Sequence, residues 1–308
     1  MLSLKRGREI AKFNNKKNDK VYIYGENEFD NKQQSENVLD PKDKVKIIPK
    51  WFWKDNHIKW DIKEKLQEYV LEDYQINQVE PQLKDIFEEL LEVINIKEKR
   101  ELDFTDTKDT LFPIPQKFSE RIYVPAPSGS GKSTWIGMYL KQLRIKYPNR
   151  KIYIFSRVEK DEPLDKFKNT KRINLEDFAE NTPQIETFEN SILIFDDIDT
   201  ILKKNVVKVL RNFRDDVLET GRHYGITCIS TSHIITNYHS TRALINEANI
   251  IVLFPRGASF HQVRNFLDRY LGFDKNEIEM VRKVPSRWVY IWKEYPKYLI
   301  HEKGVLML

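Results

Sequence analysis

The sequence predicts an α/β fold with a mainly parallel central sheet, an N-terminal helical extension and a C-terminal β-hairpin, and three observations predict it. A loop carrying two glycines, Ala126-Pro127-Ser128-Gly129-Ser130-Gly131-Lys132-Ser133, follows the strand-like run Arg121-Ile122-Tyr123-Val124. It precedes a segment with Ile136, Tyr139, Leu140, Leu143 and Tyr147 at helical spacing. A second run, Ile192-Leu193-Ile194-Phe195, is continuously apolar, as a strand covered on both faces should be, and ends in Asp196-Asp197. Further apolar runs alternate with helical periods: Ile152 to Phe155, the helix bearing Val206, Val207, Leu210, Phe213 and Val217, then Ile226 to Thr231 and Ile250 to Phe254. That alternation is the pattern of parallel strands joined by crossover helices.

Taken in order, residues 1–45 are polar, rich in Asn, Lys, Asp and Gln, and lack sustained periodicity, so they read as a flexible basic arm. Lys5, Arg6, Arg8, Lys12, Lys16, Lys17 and Lys20 outweigh Glu9 and Asp19 there, and both a nucleic-acid contact and a solvated tail are open to it. Residues 46–110 read as a helical accessory region. Trp51-Phe52-Trp53 and Trp60 precede two amphipathic helices, the second with Leu83, Ile86, Phe87, Leu90, Leu91 and Ile94 on one face. The aromatics are expected to pack against these helices or the main domain rather than to stack on bases. The polar stretch 97–108, then Pro113 and Pro115, lead into a core over residues 111–308. At its end Trp288-Val289-Tyr290-Ile291-Trp292 and Tyr298-Leu299-Ile300, separated by Glu294-Tyr295-Pro296, read as a closing strand pair. There is no internal repeat.

With 308 residues, 40% of them hydrophobic, the chain can build one large domain plus an appendage. Met1-Leu2-Ser3-Leu4 runs straight into Lys5-Arg6, and no apolar run approaches the length of a membrane span, so a soluble, intracellular protein is expected. Cys228 is the single cysteine, which excludes an intrachain disulfide and a cysteine zinc cluster and fits a reducing compartment. Its place within an apolar run predicts a buried, inert thiol. The net charge of +5, with both signs mixed among 32% charged residues, permits a polyanionic partner without demanding one.

The chemistry starts at the loop. Glycines let successive backbone N–H groups around Ser128, Gly129, Ser130 and Gly131 turn inward as an anion nest. Lys132 would reach the β and γ phosphates of ATP, Ser133 would place its hydroxyl on Mg²⁺, and the N-terminus of the following helix would add partial positive charge. The spacing is the Walker A pattern G-x-x-x-x-G-K-[ST] except that Ala126 stands at the first glycine. Residues Ala126 to Thr134 are therefore the candidate nucleotide-binding set. Asp196, at the end of the second apolar strand, is the candidate for the Mg²⁺ shell and Asp197 for polarising the attacking water, the Walker B roles; a plain turn and helix cap is the alternative. The strand Ile226 to Thr231 ends in Ser232-His233, polar groups where a sensor would touch the γ phosphate or attacking water; a helix cap by Ser232 is the alternative. A strand inserted between the two motif strands is the layout of ring-forming and helicase-like ATPases, a P-loop NTPase of the ASCE, RecA-like kind.

Four stretches together resemble the genome-packaging ATPases of large DNA viruses, the poxvirus and giant-virus (NCLDV) type, within the HerA/FtsK P-loop superfamily. They are Ala126 to Thr134; Ile192 to Asp197; Gly221-Arg222-His223-Tyr224-Gly225-Ile226 leading to Ser232-His233; and Thr241-Arg242 through Asn249 into Ile250-Ile251-Val252-Leu253-Phe254. The resemblance covers roughly residues 119–256, with a further familiar segment at Ser286-Arg287-Trp288-Val289, and residues 1–110 lie outside it. Family members often carry Gln at the sensor position, where His233 stands here. The resemblance implies a homo-oligomeric ring that couples ATP hydrolysis to moving double-stranded DNA into a preformed capsid, in the host cytoplasm or viral factory or with the virion, in contact with capsid proteins. An arginine from the neighbouring subunit would then complete each site, with Arg222 the first candidate and Arg242 the second. DNA would be held mainly through its phosphates; Lys203, Lys204, Lys208, Arg211 and Arg214, and beyond them Arg256 and Arg264, are basic residues available for it, or a solvated face. Three rivals are a P-loop small-molecule kinase, for which no arginine-clustered lid is visible, a nucleotide-binding scaffold that has lost hydrolysis, and a cellular or plasmid DNA translocase.

Overall fold

A computed structural model describes residues 2–3, 7–14, 19–23, 41–104, 108–235, 238–257 and 259–308. The chain divides into two compact units, one of residues 1–8 and 21–103 with Met307, the other of residues 9–20 and 104–306 with Leu308.

Near the N-terminus lie three strands, β1 (Leu2–Ser3), β2 (Arg8–Phe13) and β3 (Lys20–Ile23). Of the flexible arm expected over residues 1–45, residues 2–3, 8–13 and 20–23 are strands instead, while residues 1, 4–6, 15–18 and 24–40 lie outside the described residues. Ile10, Ala11 and Val21 are wholly buried, and β1 pairs antiparallel with β3, Leu2 opposite Ile23. In β2 the buried Ile10, Ala11 and Phe13 are enough to seat the strand among Arg8, Glu9 and Lys12. Of the basic residues assigned to the arm, Lys5, Arg6, Lys16 and Lys17 lie outside the described residues.

The first unit is helical, with α1 (Pro41–Ile47), α2 (Lys50–Asp55), α3 (Trp60–Leu71) and α4 (Lys84–Arg100), followed by β4 (Glu101–Asp103). Phe52, Leu66, Val70, Phe87 and Leu90 fill its core. The aromatic cluster divides. Phe52 is buried as expected, whereas Trp51 and Trp60 are exposed, with the Lys63 ammonium 5.1 Å from the Trp60 ring centre.

The second unit begins with β5 (Leu111–Pro113), which pairs antiparallel with β2, Ala11 opposite Pro113. It continues through β6 (Arg121–Pro125), α5 (Lys132–Lys146), β7 (Ile152–Ser156), α6 (Glu162–Asp165), β8 (Thr170–Arg172), α7 (Leu175–Glu180), β9 (Ile192–Asp196) and α8 (Lys204–Thr220). Then follow β10 (Thr227–Ser232), α9 (Tyr238–Glu247), β11 (Ile250–Leu253), α10 (Phe260–Leu271), α11 (Lys275–Lys283), β12 (Val289–Trp292), β13 (Tyr298–His301) and β14 (Gly304–Met307).

Its central sheet has the order β14-β13-β12-β11-β6-β10-β9-β7-β8. From β11 to β8 every neighbouring pair is parallel, and β10 lies between β6 and β9, the insertion the sequence predicted. This is the P-loop NTPase arrangement. The register aligns Pro125 with Ser232, Phe195 with Ser230, and Asp196 with Ser156, so the strands carrying the motifs end along one carboxyl edge. Ligands of open α/β sheets bind beyond that edge.

The closing strands differ from expectation by one element. β12 and β13 form the predicted antiparallel pair, β12 joins the sheet against β11, and β14 adds a third strand after the two-residue turn at Glu302-Lys303. Packing fixes the sheet beneath the site: Phe155 and Phe195 stack at 4.8 Å between centroids, and α8 lays Val206, Leu210, Phe213 and Val217 against them. Cys228 sits in this core, where burial pushes its thiol up to about 12 and leaves it inert. At the opposite end of the sheet the Arg150 guanidinium donates to the carbonyls of Phe118, Asn190, Ser191 and Gly225 and to Thr227 Oγ1, tying the incoming loops together. Among the described residues no helix is long and apolar enough to cross a membrane.

Candidate functional site

The loop between β6 and α5 is bent at its two glycines. Gly129 has φ 75° and Gly131, which opens α5, has φ 101°, both in the left-handed region that a Cβ disfavours. Ala126, at the position where the motif usually has glycine, is buried and is not among the positive-φ residues, so a methyl group is tolerated there. Its N–H donates to the Ser232 carbonyl at 2.9 Å, which anchors the loop entry to the end of β10. Ser130 N–H donates to the Pro127 carbonyl at 3.3 Å and Trp135 N–H to the Gly131 carbonyl at 2.9 Å, closing the turn onto the helix.

Lys132 is only 7% exposed at the start of α5. Its ammonium donates to the Ala126 carbonyl at 2.8 Å, lies 3.2 Å from Asp197 Oδ2 and is 3.4 Å from His233 Nδ1. The same Asp197 oxygen is 3.1 Å from His233 Nε2. The structure thus brings Lys132, Asp197 and His233 into one cluster, with Asp196 alongside. Ser133 follows half-buried and Thr134 is exposed.

Asp196 is buried at the end of β9. Its Oδ2 accepts from Ser156 Oγ at 2.9 Å and its Oδ1 from Thr231 Oγ1 at 2.9 Å. Burial raises its pKa, the neighbouring Asp197 charge raises it further, and the two hydroxyl donors act in the opposite direction. A carboxylate held this way gains from a nearby cation, since a cation removes the cost of its buried charge. Asp197 has φ 45°, an unusual conformation for a non-glycine residue, and this turns its side chain from the strand toward Lys132.

The two sensor candidates separate. Ser232 is buried, and its hydroxyl is used in a local turn, donating to the Ile234 carbonyl at 3.0 Å and accepting from Ile234 N–H at 3.2 Å. His233 is the one that faces Lys132 and Asp197. Arg222 is exposed in the 3₁₀ turn Gly221–Tyr224 that enters β10, at the sheet end opposite the carboxyl edge, and Arg242 is exposed on α9. Neither is in the cluster.

The basic stripe after β9 does not act as one surface. Arg214 is 1% exposed and bonded to Asp215, and Arg211 pairs with Asp199 at 2.7 Å, so Lys203, Lys204 and Lys208 are its exposed members, and of these Lys203 pairs with Glu176 at 2.6 Å. Sequence reasoning missed three contributors. Thr231 and Ser156 carry the hydroxyls on Asp196, and both become visible only when the strand register is known. The third is the turn after β11: a Cβ at Gly257 would lie 2.8 Å from Ser130 Oγ, and the Phe254 ring would be 3.7 Å from a Cβ at Gly131, so this turn backs the phosphate loop.

No protein-family model matches the chain. The uncharacterised protein V3 of Sputnik virophage is 34% identical over 214 residues, covering 69% of this chain and 86% of that protein. Among solved structures, the genome packaging NTPase B204 of Sulfolobus turreted icosahedral virus 2, in complex with ATP-γS, is similar at a TM-score of 0.42 with 12% identity, covering 61% of this chain and 98% of that one. The cytoplasmic domain of the type VII secretion ATPase EccC of Thermomonospora curvata is similar at a TM-score of 0.44 with 13% identity, covering 66% and 28%.

Proposed function

The chain belongs to the family of the Sputnik virophage protein V3, and we propose from its phosphate loop and aspartate pair that it is an ATP-hydrolysing motor that translocates double-stranded DNA and packages a viral genome into a capsid. The observation that carries the ATPase reading is the Lys132 ammonium, held 3.2 Å from Asp197 beside a loop bent at two left-handed glycines.

The residues fit a magnesium-bound triphosphate on their own chemistry. Loop N–H groups and the α5 N-terminus offer donors and partial positive charge to phosphate oxygens. The Ser133 hydroxyl and the Asp196 carboxylate are hard oxygen donors of the kind that hold Mg²⁺ together with phosphates rather than in an all-protein cage. When bound, the cation supplies neutralisation of charge that develops on the transferring phosphoryl group. Lys132 adds a fixed positive charge on the same group. Asp197 orients the attacking water by accepting its hydrogen bond, and His233, 3.1 Å from that carboxylate, holds it in place. Hydrolysis would be coupled to movement in a homo-oligomeric ring, with Arg222 or Arg242 of one subunit completing the neighbouring site and DNA held through its phosphates.

DNA-stimulated ATPase activity across a salt series tests this reading. Stimulation should be present near 50 mM salt and fall steeply by about 200 mM, because each neutralised phosphate contributes roughly −0.9 to the slope of log affinity against log salt. A basal ATPase indifferent to duplex DNA at low salt would remove the motor and leave only the nucleotide hydrolase.

A further inference from the structure

Thr231, the penultimate residue of β10, touches both aspartates and has no part in the function as stated above. Its Oγ1 accepts the Asp197 N–H at 2.8 Å and lies 2.9 Å from Asp196 Oδ1 and 3.0 Å from Asp197 Oδ1. A threonine hydroxyl has one proton, so Oγ1 donates to one carboxylate at a time. The backbone N–H occupies an acceptor position on the oxygen and so directs that proton toward the carboxylate pair. Ser156, across the register from Asp196, is arranged alike: its oxygen takes the Val158 N–H at 3.1 Å and its proton goes to Asp196 Oδ2 at 2.9 Å.

Two consequences follow. Asp196 has a hydroxyl on each carboxylate oxygen, which fixes its plane. The N–H bond also holds Asp197 at φ 45°, a conformation that is unfavourable for a non-glycine residue and persists only where its surroundings enforce it. From these contacts we infer that Thr231 is a positioning residue for hydrolysis, its hydroxyl bridging the two carboxylates and locking the Asp197 turn so that one aspartate serves the cation and the other the water. The inference rests on the ATPase reading of the same site.

Thr231→Val keeps the shape and removes the hydroxyl, while Thr231→Ser keeps the hydroxyl. Loss of such a supporting hydrogen bond should lower kcat and the affinity for Mn²⁺, read by electron paramagnetic resonance with ATP-γS present, by about 10–100-fold in the valine variant and by less than about 3-fold in the serine variant. Affinity for ATP-γS without a divalent cation should stay within about 2-fold in both, because the phosphate loop is untouched. Thermal unfolding of both variants checks that the fold is intact. Wild-type Mn²⁺ affinity in Thr231→Val overturns the proposal, as does a serine variant impaired as much as the valine one, which would mean that shape and not the hydroxyl matters. The ATPase reading falls on a different result, wild-type hydrolysis in Lys132→Ala, so the two failures are distinguishable.

Discussion

Lys132 has an exposure of 7% and three polar neighbours, so its charge is held in place before any nucleotide arrives. Replacing it by alanine should lower the hydrolysis rate by at least about 10²-fold, the scale for losing one fixed charge or donor at a transferring group. Phosphate release measures the loss, and an unchanged far-ultraviolet circular dichroism spectrum shows that the fold survives. Lys293 gives a prediction of a different kind. Its ammonium donates to the Ile245 carbonyl at 2.5 Å, and burial, then the Arg121 charge, lower its pKa from 10.5 to about 8. Between those two values the unfolded chain holds the proton and the folded chain has lost it, so stability rises with pH across that window. Below it both states are protonated and the contribution is flat. Urea unfolding of the wild type minus that of Lys293→Met should therefore climb from pH 8 to pH 10.5, and a flat difference would refute the assignment. That Lys132 and the Asp196-Asp197 pair come together was legible in the sequence, because the loop spacing marks the lysine and the end of an apolar strand marks the aspartates. Thr231 was not, since in sequence it is one more β-branched residue of a strand, and only the pairing of β10 with β9 brings it to the aspartates.

At the level of elements, the buried parallel strands were legible because a strand covered on both faces must be apolar throughout, as Ile192 to Phe195 is. Strands β2, β8 and β14 were not. β8 is Thr-Lys-Arg at the edge of the sheet, where nothing requires an apolar side chain, and β2 sets Ile10, Ala11 and Phe13 among Arg8, Glu9 and Lys12, out of a strict alternation. The packing between α5 and α6 supplies a prediction that depends on magnitudes. Gly137 lies mid-helix in α5, and a Cβ there would meet the Pro163 carbonyl oxygen at 2.7 Å. Gly137→Ala would gain about 1 kcal/mol of helix propensity. Forcing a methyl against backbone that cannot rotate away costs about 1–3 kcal/mol, so the variant should be destabilised or at best unchanged, against the usual benefit of this substitution. The gentler case is Gly257→Ala, where the obstacle is the Ser130 hydroxyl, which can turn. Its effect should fall on ATP-γS affinity, by a few-fold and not on the unfolding midpoint, because only the phosphate loop has to give. A stabilised Gly137→Ala, or a Gly257→Ala with unaltered nucleotide affinity, would show that the inferred contacts do not constrain these elements.

For the whole molecule, the proposed ring makes each active site the joint property of two copies. A heterologous contact presents different surfaces from the two subunits, so Arg222 at the entry to β10 need not approach its own Lys132 to act on a neighbour's nucleotide. Hydrolysis per subunit should then rise with protein concentration, since dilution separates the arginine from the phosphates it serves. Subunit mixing makes the argument sharper. Arg222→Ala and Lys132→Ala proteins should each be inactive, the first lacking the arginine in every interface and the second lacking the lysine in every site. Mixed in equal amounts and allowed to exchange, about a quarter of the interfaces would pair an intact lysine with an intact arginine, and activity should recover toward that fraction. An arginine acting within its own subunit gives no such recovery, because every chain in the mixture lacks one of the two groups. Failure at every ratio, with exchange verified by labelled subunits, would exclude Arg222 and move the same test to Arg242 on α9.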